Sequence, residues 1–205
     1  MRVISGTAKG RTLKSPGAAT RPITDRVKEN LFNIVGARVR EANVLDLFAG
    51  AGSVGIEALS RGARFATFVE NDRDALSALR ANLELTRLDA RARIVRDDVF
   101  RFIRRHNVIA SEAQQSPSSN LEVASSQKAL LAMTVFDLIY IAPPQYKELW
   151  SETLQALDGR GMLATSGIIV AQIFPKEYRA LELKEFALQD QRTYGSTMLC
   201  FYRGK

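Results

Sequence analysis

The stretch Val44-Leu-Asp-Leu-Phe-Ala-Gly-Ala-Gly-Ser-Val-Gly55 decides the fold. Its first five residues are apolar apart from one aspartate, which is typical of a short buried strand. A glycine-rich turn follows, and residues 53–61 have the composition of a helix. The glycines of the turn have the G-x-G-x-x-G spacing: Gly50, Gly52 and Gly55. Such glycines permit positive φ and let a ligand approach the backbone, so the unit predicts a nucleotide-type binding loop.

Acidic residues near this loop indicate which ligand it binds. Glu70 ends the next predicted strand, where an acid can accept hydrogen bonds from both hydroxyls of a ribose. Asp46 lies in the strand before the loop, where a carboxylate repels a pyrophosphate but suits a ligand with an amino group. This pattern favours S-adenosylmethionine, which has a sulfonium, an amino group and no phosphate. After the third strand, Asp98 or its neighbour Asp97 can accept the adenine amino group, and the backbone N–H of Val99 can contact the ring.

Strands and helices alternate on both sides of the loop. Apolar runs predict strands at residues 44–48, 64–70, 92–95, 136–141 and 168–174. Periodic apolar residues predict helices from Thr24 and at residues 53–61, 72–88, 99–105 and 149–157. Residues 181–188 and 193–203 form a predicted hairpin that turns near Tyr194-Gly195-Ser196. We therefore expect an α/β fold with a parallel sheet, helices on both faces and a mixed edge.

Two segments lie outside this alternation. Residues 2–5 and 11–14 predict a small N-terminal β-hairpin extension, so we divide the chain into residues 1–20 and a domain of residues 21–205. Residues 107–134 are rich in Ser, Gln, Asn and Ala without a clear period, which predicts a flexible insertion. His106 stands at its entrance and is expected on the surface.

Composition limits the class of protein. The 205 residues are 46% apolar and 25% charged, as in an ordinary globular domain. The longest apolar runs reach about seven residues, too few to cross a membrane, and no signal peptide is evident at the N-terminus. A single cysteine, Cys200, excludes an internal disulfide and a zinc site. We expect a cytoplasmic protein, with no metal and no membrane partner, for which a monomer suffices.

Positive charge is concentrated at the N-terminus. The first 40 residues hold nine Lys and Arg against two acids, a net charge of +7 that equals the formal net charge of the whole chain. A localised basic segment indicates a polyanionic partner, most commonly nucleic acid. The candidate phosphate contacts are Lys9, Arg11, Arg21 and Arg26.

Several motifs resemble known families. Asp46-Leu-Phe-Ala-Gly50-Ala-Gly52 resembles motif I of class I methyltransferases, and Phe68-Val-Glu70-Asn71 resembles motif II. The remaining motifs resemble the RsmD-type ribosomal RNA guanine-N2 methyltransferases: Arg2-Val-Ile-Ser-Gly6, Lys9-Gly-Arg11, Thr20-Arg-Pro-Ile-Thr-Asp-Arg-Val-Lys-Glu29 with Leu31-Phe32, and Arg192-Thr-Tyr-Gly195.

This resemblance carries expectations for fold and function. It implies a Rossmann-like sheet of seven strands and a basic extension that contacts RNA. It also implies methyl transfer from S-adenosylmethionine to one guanine of 16S rRNA, free or in an assembling small ribosomal subunit. By motif position it places four further residues at the cofactor, namely Phe48, Gly50, Gly52 and Asn71.

The fourth motif departs from the family pattern Asp-Pro-Pro-Phe/Tyr. The corresponding sequence is Ile141-Ala-Pro-Pro-Gln-Tyr146, with Ala142 in place of the acid. A guanine amino group needs hydrogen-bond acceptors, and the rigid Pro143-Pro144 pair can aim the Ala142 carbonyl as one of them. Gln145 can offer its amide oxygen, and Tyr146 can stack on a base. These five residues are the candidate catalytic loop.

Other interpretations remain open. An enzyme of the same fold could act on DNA, since similar Pro-Pro loops occur in amino-methylating DNA enzymes. An NAD-dependent oxidoreductase is disfavoured by Asp46. A non-catalytic RNA-binding or assembly protein could retain the fold, and Ala142 is the main support for it. Trp150 lies four residues after Tyr146 and favours core packing over contact with a base.

Overall fold

A computed structural model describes residues 1–15, 23–113, 135–144 and 148–205, with the backbone alone for residues 107–113. In these ranges the strands are β1 (Asn43–Leu47), β2 (Phe65–Glu70), β3 (Ala92–Arg96), β4 (Phe136–Ile141), β5 (Leu163–Ile173), β6 (Phe186–Tyr194) and β7 (Thr197–Gly204). The helices there are α1 (Asp25–Val35), α2 (Ser53–Ser60), α3 (Arg73–Thr86), α4 (Val99–Ala113) and α5 (Leu149–Leu157).

The strands form one seven-stranded sheet in the order β3-β2-β1-β4-β5-β7-β6. Strands β1 to β5 pair in parallel, whereas β7 is antiparallel to both β5 and β6. The chain builds outward from β1 to β3 and then returns to the other side of β1 with β4. This reversal places a topological switch point between β1 and β4, where α/β sheets bind ligands. The expected Rossmann-like mixed sheet is confirmed.

Alternating residues of the strands supply two hydrophobic cores, one on each face of the sheet. Val44 and Tyr140 face the core covered by α1, α2 and α3. Leu45 and Ile139 face the core covered by α4 and α5. Trp150 of α5 is buried in this second core, as expected, and its ring stacks on Tyr178 with centroids 6.2 Å apart.

The N-terminal extension contains less β-structure than the sequence predicts. One bridge, Arg2 with Thr12, is the only β-pairing among residues 1–15. Gly6 and Gly10 adopt φ of 85° and 84°, so the segment between them turns instead of extending. Its apolar side chains, Val3, Ala8 and Leu13, are buried in the same core as α1, α2 and α3.

The buried carboxylate of Glu57 anchors this extension. It accepts the backbone N–H groups of Ile4 and Ser5 at 2.7 and 3.0 Å. It also lies 3.5 Å from the ammonium of Lys28 and accepts from the Arg61 guanidinium at 2.7 Å. Burial lowers the pKa of Lys28, and the attraction of Glu57 opposes that shift. Lys28 was counted in the basic N-terminal charge, but it is fully buried and cannot meet a partner directly.

Several element boundaries differ from prediction. Strand β5 begins at Leu163 and not at residue 168, and β6 spans Phe186–Tyr194 where residues 181–188 were predicted. Helix α4 continues to Ala113, so the predicted insertion does not begin at residue 107; residues 114–134 lie outside the described part of the chain. No glycine or proline occurs between Val99 and Pro117 to end the helix earlier. His106 is therefore not on the surface but 6% exposed, with its ring 6.1 Å from those of Phe102 and Phe136.

Gly6 offers a direct test of how the extension docks. A Cβ on Gly6 would lie 1.7 Å from the Ser60 carbonyl oxygen, whereas a Cβ on Gly10 meets nothing within 4 Å. Because both glycines have nearly the same φ, Gly10→Ala is the matched control and is expected to cost about 1–2 kcal/mol of unfolding free energy. Gly6→Ala is expected to cost an additional amount of about 1–3 kcal/mol. Urea unfolding measures both variants, and equal losses would contradict the docking.

Candidate active site

A cleft of about 650 Å³ opens at the carboxyl ends of β1, β2 and β4, at the switch point of the sheet. It brings together residues that the sequence singled out separately. From the first two motifs the cleft is lined by Asp46, Phe48, Gly50, Glu70 and Asn71. From the fourth motif it is lined by Ala142, Pro143 and Pro144, while Gln145 and Tyr146 lie outside the described residues.

The backbone of the glycine loop has an unusual conformation. Phe48, Gly50 and Gly52 all have positive φ, at 60°, 55° and 80°. Left-handed backbone at a non-glycine residue such as Phe48 is uncommon and is often found at functional sites. A Cβ on Gly55 would lie 2.3 Å from the Phe68 ring, so glycine there lets α2 pack directly on the sheet.

Glu70 organises the loop from the end of β2. One carboxylate oxygen accepts the N–H of Gly50 at 2.8 Å. The other accepts the N–H groups of Asn71 and Asp72 at 2.8 and 2.9 Å. A carboxylate has about four lone-pair sites, so capacity to accept from a ligand hydroxyl remains.

Asp46 of β1 is 1% exposed, and its carboxylate reaches the N-terminus of α2, where it accepts the N–H of Gly55 at 2.9 Å. Burial raises its pKa to about 8, although the hydrogen bond from Gly55 opposes the shift. A dinucleotide pyrophosphate would need this helix N-terminus, which here already faces a carboxylate. The position instead favours a ligand that brings a positive charge.

The raised pKa of Asp46 predicts a pH dependence of stability. The pKa of the Asp46 carboxyl is about 8 in the folded protein, and its ordinary value, taken for the unfolded chain, is 3.8. Between these two pH values the folded state holds one proton more than the unfolded state. Unfolding free energy should therefore fall as pH rises through this window, by up to about 1.4 kcal/mol per pH unit. Urea unfolding at pH 6 and pH 8 measures it. Asp46→Asn should remove this part of the slope, and an unchanged slope in that variant would contradict the assignment.

Two further residues of the cleft were not identified from sequence. Tyr140 on β4 and Gln172 on β5 both line it, and the Tyr140 hydroxyl donates to Gln172 Oε1 at 2.6 Å. Tyr140 pairs in register with Asp46 and so faces the same side of the sheet. A signal existed for Gln172, since it is a polar residue within the apolar strand at residues 168–174.

Asp97, Asp98 and Val99 do not line this cleft. The Asp97 carboxylate contacts the guanidinium groups of Arg101 and Arg105 at 3.6 and 3.0 Å. Asp98 accepts the Arg101 N–H at 3.0 Å in the first turn of α4, and Val99 is buried in a core. Their assignment to the adenine stays a prediction.

Candidate RNA contacts lie on the N-terminal extension and α1. Lys9, Arg11 and Arg26 are exposed, whereas Arg21 lies outside the described residues. The Arg11 guanidinium donates to the Leu85 carbonyl at 2.6 Å. Lys9 and Arg26 line a second cavity, of about 480 Å³, beside the extension. In the described ranges, we find no helix with the length and apolar character needed to span a membrane.

The strand order, the glycine loop and the cleft together define the class I methyltransferase fold. The chain belongs to the family described as conserved hypothetical protein 95, whose model matches residues 1–114 and 105–203. The resemblance to RsmD-type proteins is thereby confirmed by its relatives.

Two curated relatives and one solved structure illustrate the similarity. The chain is 35% identical over 208 residues to "Putative rRNA methyltransferase YlbH" of Bacillus subtilis, covering 99% of this chain and 98% of the relative. It is 32% identical over 173 residues to "Ribosomal RNA small subunit methyltransferase D" of Escherichia coli, covering 84% and 74%. The structure of "Putative methyltransferase yhhF from Escherichia coli" superposes with a TM-score of 0.79 at 28% identity, covering 100% and 98%.

Proposed function

We propose that this protein transfers a methyl group from S-adenosylmethionine to the exocyclic N2 of a guanine in 16S rRNA. The observation that carries the proposal is the cleft at the switch point, where the buried Asp46 and the loop-organising Glu70 meet the Ala142-Pro143-Pro144 segment. The names of the relatives, among them a small-subunit rRNA methyltransferase, support the class of substrate.

The residues of the cleft fit the cofactor. Asp46 offers a buried carboxyl group that a bound cation would hold in its ionised form, and Glu70 offers remaining lone pairs to ribose hydroxyls. The backbone of Gly50 would hold the ligand closely at positive φ, beside Phe48 and Asn71. Gly52 does not line the cleft and is kept as a proposed contact from its motif position alone. When bound, S-adenosylmethionine supplies an electrophilic methyl group on a positively charged sulfur. We keep Asp98 and Val99 as proposed contacts of the adenine.

The fourth motif orients the substrate amine. Pro143 and Pro144 lack N–H groups and have restricted φ, so they fix the direction of the Ala142 carbonyl. In our proposal this carbonyl accepts one N–H of the amine, the Gln145 amide oxygen is offered to the base, and Tyr146 stacks on the base. No strong base is required, because the proton can leave after the new bond has formed. Catalysis is therefore mainly positioning.

RNA binding is assigned to the extension, which we treat as residues 1–20, and to the first residues of the methyltransferase domain, which we treat as residues 21–205. Lys9, Arg11, Arg21 and Arg26 would contact phosphates, and the exposure of Lys9, Arg11 and Arg26 supports this side as the RNA face. We expect the protein to act as a monomer, without a metal, in the cytoplasm where ribosomal subunits assemble.

Transfer of labelled methyl groups to three substrates tests the proposal. Small ribosomal subunits that lack the modification, large subunits and duplex DNA are each incubated with the protein and labelled S-adenosylmethionine. We expect incorporation into the small subunit alone. Preferential labelling of DNA would indicate that the protein is a DNA methyltransferase of the same fold. Binding of cofactor and RNA without any transfer would favour a non-catalytic assembly role, consistent with Ala142.

A further inference from the structure

Ala142 stands where the fourth motif usually has an acid, and Gln172 lies beside it. Strands β4 and β5 pair in parallel, with Tyr140 opposite Val170 and Ile141 opposite Ala171. The next residues along these two strands are Ala142 and Gln172. Both line the cleft, so a long polar side chain stands beside the place where a methyl group has replaced a carboxylate.

Gln172 is the exception within its strand. Val170, Ala171 and Ile173 are buried apolar residues, whereas Gln172 is half-buried and reaches the cleft. A buried or half-buried amide needs hydrogen-bond partners. One partner is supplied by the Tyr140 hydroxyl, which donates to Gln172 Oε1 at 2.6 Å.

Tyr140 makes this contact a rigid one. The tyrosine is 3% exposed, and burial together with the nearby Asp46 raises its pKa well above the ordinary value. Its hydroxyl therefore stays protonated and remains a donor to Gln172. A carbonyl oxygen has two lone pairs, so Gln172 Oε1 can accept a second hydrogen bond from a molecule in the cleft.

We propose that Gln172, held by Tyr140, takes the place of the missing motif IV acid: its Oε1 accepts one N–H of the guanine amino group, and the Ala142 carbonyl accepts the other. The inference rests on the proposed function. A side-chain amide presents an acceptor beside a donor, which complements the guanine edge formed by the N2 amino group and the ring N3 acceptor. A carboxylate could supply the acceptor alone.

The role of Gln172 is to position and not to remove a proton. The nitrogen lone pair forms the new N–C bond while the C–S bond breaks with its electron pair going to sulfur. The proton that the nitrogen then carries in excess is released to water. Loss of the Gln172 acceptor should therefore lower kcat and have little effect on cofactor binding.

Substitutions at residue 172 test this role. Gln172→Leu is expected to lower kcat about 100-fold, by analogy with the loss of one oxyanion-hole donor. The KM for the small subunit and the Kd for the cofactor should stay within about threefold of the wild-type values, because the lost interaction acts in the transition state. Gln172→Glu keeps an acceptor and should retain at least about a tenth of the wild-type rate by the same analogy. Gln189→Leu, an exposed glutamine on β6, is the matched control.

Two additional variants separate catalysis from structure. Gln172→Leu leaves the Tyr140 hydroxyl without its acceptor. If this single variant folds poorly, the double variant Tyr140→Phe with Gln172→Leu replaces it in the kcat measurement. Adding Ala142→Asp to Gln172→Leu should restore kcat at least about tenfold, a rescue that a structural defect would not show. Unchanged kcat in Gln172→Leu, or failure of the rescue, would overturn the inference while wild-type transfer still upholds the proposed function. Absence of wild-type transfer would overturn both.

Discussion

Replacing Glu70 with alanine is expected to abolish measurable cofactor binding and methyl transfer. The carboxylate accepts the backbone N–H of Gly50 in the glycine loop and those of Asn71 and Asp72 after β2, within 2.8–2.9 Å. Its loss leaves the loop without this support and removes the acceptor proposed for the ribose. Hydrogen bonds to a charged group contribute about 1.5–3 kcal/mol each, so the loss of two ribose contacts alone predicts about 100-fold weaker binding or more.

Calorimetric titration with S-adenosylmethionine measures the effect of Glu70→Ala. Glu84→Ala removes an exposed acid from α3 and serves as the control for lost charge. Glu70→Gln keeps one carbonyl acceptor and should bind with intermediate affinity. Wild-type affinity in Glu70→Ala would show that the carboxylate supports neither the loop nor the ligand, and would remove Glu70 from the site.

Glu57→Leu is expected to cause the largest loss of stability. The change leaves the ammonium of Lys28 buried without its counter-ion and removes the acceptor for the N–H groups of Ile4 and Ser5. Breaking a buried ion pair from one side typically costs about 3–5 kcal/mol. Denaturant unfolding should show a loss of this size. The extension should also become accessible to trypsin at Lys9 and Arg11.

Two variants provide controls for Glu57→Leu. Combining Lys28→Met with Glu57→Leu removes both fully buried charges and should recover part of the loss, because only the partly exposed Arg61 then lacks its partner. Arg64→Ala breaks the exposed Arg64–Glu41 pair and should change stability by less than about 1 kcal/mol. A Glu57→Leu variant as stable as Arg64→Ala would contradict the anchoring role of Glu57.

Much of the fold was predictable because local signals agree with the tertiary structure. The predicted starts of two helices are confirmed, since Thr24 and Asp72 cap α1 and α3 through their side chains. Strand β4 coincides with its predicted range, because apolar runs bounded by polar residues identify strands buried on both faces. The turn at Gly195 also lies where predicted, between β6 and β7.

Features that depend on distant contacts were not predictable. The N-terminal segment was expected to form a hairpin, but its conformation follows from packing on Ser60 and Glu57, more than 50 residues away in sequence. The burial of Lys28 depends on the same long-range partner. His106 was placed on the surface because its helix was predicted to end at residue 105; once α4 continues, the histidine faces a core.

The candidate site shows the same division. Motif spacing identified Asp46 and Glu70 because each lies near the end of a predicted strand, in a motif that is local in sequence. Gln172 lies 30 residues beyond Ala142, and only the parallel pairing of β4 with β5 brings the two to one cleft. A sequence pattern cannot reveal such a juxtaposition without the strand order.

Identification of the methylated nucleoside is the most direct test of the proposed activity. Small ribosomal subunits that lack this modification are incubated with the protein and labelled S-adenosylmethionine, and their rRNA is digested and analysed by mass spectrometry. We predict a single labelled product, N2-methylguanosine, which is absent when Glu70→Ala replaces the wild-type protein. Label in any other nucleoside, or no label although the cofactor binds, would contradict the assignment as a guanine-N2 methyltransferase.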